Sequence, residues 1–140
     1  MRLFRLFIIS AALILTVIAA KPTPSPSPTP LPPENPAITA LARHEFVSWQ
    51  AGVIDKDHYV QAASDTLTDA AIQNMSKALS GLGALVRVEW LGHFNIIGGP
   101  PGVVGYTYRM DCTNDAIYEQ LMIGPDGKID SINFLKKLPQ

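Results

Sequence analysis

VVGYTYRMDCTNDAIYEQLMIGPDGKIDSINFLK, residues 103–136, decides the fold through its spacing. Val104, Tyr106, Tyr108, Met110 and Cys112 fall on one face of an alternating run, the period-2 signature of a half-buried strand. Thr113-Asn114-Asp115 is a tight turn. In the next run Ile117, Glu119, Leu121 and Ile123 share a face. Pro125-Asp126-Gly127 is a second turn, and KIDSINFLK (128–136) is a further strand. Working upstream, ALVRVEWLGHFNI (84–96) also alternates. Strict alternation puts Val86, Val88, Trp90 and Phe94 on one face and Arg87, Glu89 and His93 on the other. GGPPG (98–102) turns the chain between the two runs. Four strands joined by short turns predict an antiparallel meander.

Before Ala84 the period is helical. In AITALARHEFVSWQAGV (37–53), Ile38, Leu41, Ala42, Trp49 and Val53 fall on one stripe, with Phe46 at its edge. Asn35 and Pro36 are start signals and Gly52 a stop. Asp55 can cap a second short helix containing Tyr59, Val60 and Ala63. Thr68 can cap a third, with Ile72, Met75, Leu79 and Leu82 on its buried side and Gly81 and Gly83 at its end. Helices first and sheet afterwards give an α+β class with helices on one face of the sheet.

The opening residues concern location. Arg2 and Arg5 precede a run from Leu6 to Ala20 that is apolar except for Ser10 and Thr16. Basic, then apolar, then small is the layout of an export signal. Residues 1–20 are read as such a signal, cut after Ala19 or Ala20, or as an N-terminal membrane anchor that stays. KPTPSPSPTPLPPENP (21–36) holds eight of the 12 prolines. Proline fixes φ and removes a backbone donor, so this linker favours extended polyproline II and acts as a spacer. Residues 37–140 are then one domain, large enough for a single core. Both readings of the signal place that domain outside: periplasmic, extracellular, or anchored and facing outward.

The chain has 11 basic and 12 acidic residues and no basic run. Nucleic-acid partners are excluded on that ground. Membrane contact is confined to the N-terminal segment. Cys112 is the single cysteine, so no internal disulfide forms; it is read as a small buried apolar residue, with a bridge to a second chain as the alternative.

The stretch GYTYRMDCTNDAIYEQLMIGPDGKIDSINF (105–134), together with the helices before it, resembles the NTF2-like (SnoaL-like) domains of exported bacterial proteins. The likeness covers most of residues 37–138. It implies a cone: helices on a curved sheet, with a pocket between the first helix and the concave face. The superfamily includes isomerases, cyclases, dimerisation modules and accessory domains, so the likeness implies no reaction. A cystatin-like helix-on-sheet domain is the rival fold.

Two acids stand out. Glu45 lies in the apolar stripe of the first helix, and Glu119 lies among apolar neighbours on its strand. A buried carboxylate must be paired, protonated or placed at an opening. They are the catalytic candidates, as a proton-transfer pair with Tyr106 or Tyr108. The alternative puts them at a rim or in pairs with Arg87 or Arg109. Trp49, Trp90, Tyr106 and Tyr108 are the ligand-lining candidates; an ordinary core would use the same residues. His44, His58 and His93 show no ligand spacing, His44 and His93 are expected to face outward, and no metal or cofactor is expected. G-x-S-x-G and phosphate-loop motifs are absent. The preferred function is non-catalytic: binding a small apolar ligand, or docking an envelope protein or a second copy. A small isomerase or cyclase is the alternative.

Overall fold

The computed structural model describes residues 33–94, 96 and 98–139; the segment 1–20, read above as an export signal or anchor, and most of the proline-rich linker lie outside the described residues. Helix α1 spans Pro36–Ala51. The Asn35 side chain accepts from the Ala37 amide, Pro36 occupies the first turn, and Gly52 closes the helix at φ 70°. Ala42, Glu45, Phe46 and Trp49 are its buried residues. Phe46 is therefore at the centre of the stripe, not its edge. Val53 lies beyond the Gly52 stop and is 72% exposed, so it leaves the stripe.

Asp55 does cap the next segment, but that segment is a 3-10 turn, Lys56–His58, succeeded by a one-turn helix α2, Gln61–Ser64. Tyr59 sits between them, bridging in parallel to Ile129. Thr68 caps α3 (Asp69–Ser80), and Ile72 and Leu79 are buried on it. Gln50 ties α1 to α3: its side-chain amide donates to the carbonyls of Leu79 (3.1 Å) and Gly83 (2.9 Å), and its own carbonyl accepts from Ser76 (2.7 Å).

The strands are β1 (Leu85–Phe94), β2 (Val104–Cys112), β3 (Ala116–Ile123) and β4 (Ile129–Leu135). They form one antiparallel sheet in the order β1-β2-β3-β4, the expected meander. The class is thus α+β, with helices ahead of a four-stranded sheet. Its inner face packs Tyr108, Met110, Ile117, Leu121, Ile123 and Ile129 against Ala42, Phe46 and Trp49 of α1. Phe134 meets Phe46 and Trp49 edge-on, at ring separations of 5.9 and 6.1 Å.

Strict alternation fails in β1, which carries two register shifts, between Leu85 and Arg87 and between Trp90 and Gly92. Each inserts one residue and reverses the facing of the residues after it. Val86 is extruded and 65% exposed. Gly92, at φ 124°, takes the second shift. His93 consequently pairs with Tyr106 and joins the inner face, while Phe94 pairs with Gly105 on the outer one. The outward placing of His93 and the inward placing of Val86 and Phe94 are both corrected by these bulges.

Candidate functional site

Glu45 comes from the buried stripe of α1, and its side chain is 1% exposed. The Asp55-capped turn brings the succeeding residues back against it. One carboxylate oxygen lies 2.6 Å from His58 Nδ1. The other accepts from the Tyr59 hydroxyl at 2.7 Å. Tyr59 in turn accepts from Trp49 Nε1 at 2.8 Å. The carboxylate is thus paired on both oxygens, which is what a charge in this position requires. Its hydrogen bond raises the pKa of His58, and burial opposes the rise. Burial, and after it the hydrogen bond to Glu45, pushes the Tyr59 phenol far up, so it stays a neutral donor.

Glu119 is as deeply buried, 0% exposed, between Tyr108 on β2 and Phe134 on β4. Neither of its oxygens has a hydrogen-bond partner among the described residues. Burial first, and the Glu45 charge second, hold its carboxyl well above the usual range. Both causes act against its charged form. The rim placing and the pairing with Arg87 or Arg109 do not apply: both arginines sit on the outer face and bind Asp111, at 2.9 and 2.8 Å.

Tyr108 is fully buried beside Glu119, and its hydroxyl accepts from Thr39 at 3.3 Å. Burial, chiefly, lifts its pKa to about 12. Trp90 packs against Tyr108 at a ring separation of 5.3 Å, and Trp90 and Tyr106 gather around His93 at 4.9 and 4.7 Å. The four aromatic candidates therefore do not share one site. Trp49 stands with Glu45 and Tyr59; Trp90, Tyr106 and Tyr108 form a second group on the β1–β2 hairpin.

A cleft of about 400 Å³ opens between α2 and β4. Trp49, Val60, Ala63, Leu67 and Ile132 supply apolar wall, and Tyr59, Thr66, Asp130 and Ser131 supply polar groups. Of the aromatic candidates only Trp49 lines it. Sequence reading missed Tyr59 as a wall residue. The signal for it was Asp55: a cap three residues past the Gly52 stop marks a reversal that returns Tyr59 towards α1.

The same reversal assembles a group that linear spacing hides. His44, Glu45 and His58 each present a ligand-type atom, all within 4.8 Å of one another. His44 is exposed, as expected, with its ring 5.5 Å from that of His58.

No family model, curated protein or solved structure matches the chain.

Proposed function

We propose that this chain is an exported, non-catalytic binding module of NTF2-like kind that holds a small, largely apolar ligand in the cleft between α2 and β4. The observation that carries this reading is the wall itself. Trp49, Tyr59 and Glu45 are locked by successive hydrogen bonds of 2.8 and 2.7 Å, so Trp49 and Tyr59, both nearly sealed by their neighbours, make a fixed floor beneath Val60, Ala63, Leu67 and Ile132 before any ligand arrives. A preformed wall lowers the ordering cost of binding. The volume lies within the usual range for small-molecule sites.

The order of helices and then meander supports the NTF2-like likeness. The ligand position departs from it, because the space between α1 and the sheet is filled by Phe46, Tyr108, Met110 and Leu121. The site is therefore lateral. A docking role has less support. The exposed large apolar residues Val47, Val53, Val86 and Val104 are spread over separate segments, with Val86 and Val104 at opposite ends of the β1–β2 hairpin. Catalysis by Glu45 and Glu119 lacks an opening, since Glu119 is sealed from solvent.

The test uses anilinonaphthalene sulfonate, an apolar fluorescent probe. Its emission should rise with the native chain and fall back when Ala63→Phe fills the cleft. Equal emission with both proteins would place the probe elsewhere and overturn the reading.

A further inference from the structure

We infer that His44, Glu45 and His58 form a site for a divalent transition-metal cation of borderline softness, with Zn²⁺ the best fit. Two imidazoles and one carboxylate are a donor set zinc uses where it keeps a fourth position open to water. The residues come from two elements: His44 and Glu45 from α1, His58 from the 3-10 turn. Their ligand-type atoms already lie within 4.8 Å of one another. Donor atoms around a tetrahedral zinc sit about 3.3 Å apart. Glu45 Oε1 and His58 Nδ1 are now 2.6 Å apart and would part by roughly 0.7 Å to admit the ion between them. His44 is exposed and free to turn inward, which also leaves an entry path from solvent.

The surroundings supply a second, independent argument. A ligating carboxylate or histidine is normally held by a partner on its other atom. Glu45 Oε2, the oxygen left over, already accepts from Tyr59 at 2.7 Å. With His58 ligating through Nδ1, its proton sits on Nε2, the nitrogen 3.7 Å from Asp55 Oδ2. Asp55 is itself fixed as the cap of that turn, accepting from the Asp57 amide at 3.0 Å. Glu45 thus has its outer anchor in place, and Asp55 stands near enough to His58 Nε2 to become one after a small shift.

None of the three ligands lines the cleft, so the cation site stands or falls apart from the ligand reading. The experiment is titration of the full chain, purified without a histidine tag, with Zn²⁺ alone, monitored by calorimetry and by thermal unfolding. One Zn²⁺ per chain should bind at roughly micromolar concentration or tighter. His44→Ala and His58→Ala should each weaken it by at least about tenfold, the loss that even an outer partner can cause. Saturating Zn²⁺ should raise the Tm of the native chain and raise that of His44→Ala clearly less. His58→Ala removes a partner of a buried charge and can unfold the turn; His44→Ala removes only an exposed ring and keeps the test decisive. Millimolar binding, or an affinity that His44→Ala leaves unchanged, would overturn the site.

Discussion

Replacing Glu119 by leucine is expected to stabilise the protein, and more so as pH rises. The side chain is fully buried and both oxygens lack partners. A buried polar group left unsatisfied costs about 1–3 kcal/mol. Leucine removes that cost at every pH. Ionisation adds a second penalty. The folded-state pKa of Glu119 stands well above its ordinary 4.5, from burial and then from the charge on Glu45. A raised carboxyl contributes stability that is complete below the ordinary value and is lost as pH climbs through the folded-state value. The charges and hydroxyls facing it are Glu45 from α1, Tyr59 from the connector and Tyr108 from β2, and none is a cation. The native chain therefore weakens towards alkaline pH, and Glu119→Leu escapes that loss. Urea unfolding at about pH 5 and about pH 8 measures both parts. The gain should be about 1–3 kcal/mol at the lower pH and larger at the higher. In Tm this is roughly 4–8 °C per kcal/mol for a domain of this size. Glu119→Gln separates the two effects: it keeps the unsatisfied polar group but cannot ionise, so its alkaline decline should shrink to the part that the raised pKa of His58 contributes in every variant. A Glu119→Leu protein less stable than the native chain at both pH values would refute the reasoning. So would a Glu119→Gln curve parallel to the native one.

Tyr59→Phe deletes the hydroxyl between Glu45 and Trp49, leaving a buried acceptor and a buried donor each one bond short; a loss of about 2–4 kcal/mol in urea unfolding is expected, and a loss under about 0.5 would show the relay is not formed. Gly92→Ala forces a side chain onto a backbone at φ 124°, at a cost of about 1–3 kcal/mol by thermal unfolding; an unchanged Tm would mean the bulge sits elsewhere. Asp111→Ala breaks the solvent-screened pairs with Arg87 and Arg109 on the outer face and should leave the urea midpoint close to that of the native chain; a large drop would show that these pairs hold the sheet.

The helices and the meander were legible because local signals set them. Asn35, Pro36 and Gly52 bound α1 as read, Thr68 caps α3, and the turns at 113–115 and 125–127 fall between strands. The facing of β1 was not legible from alternation, since one inserted residue reverses every later position in the strand. Gly92 was the hint, because glycine inside a strand marks a bulge. Burial of Glu45 and Glu119 could be read from their apolar neighbours. Their different fates could not. Glu45 is satisfied by residues 13 and 14 positions away, brought back by a turn whose path no periodicity encodes. Glu119 is left without a partner by what its cross-strand neighbours happen to be, an accident of register seen only in the assembled sheet.

Native mass spectrometry of the chain recovered from its own host cells tests the ligand reading most directly. A bound small molecule should appear as extra mass on the folded protein, vanish on unfolding, and be missing from Ala63→Phe. A folded chain whose mass equals its sequence, or extra mass that Ala63→Phe keeps, would contradict a ligand held in the cleft between α2 and β4.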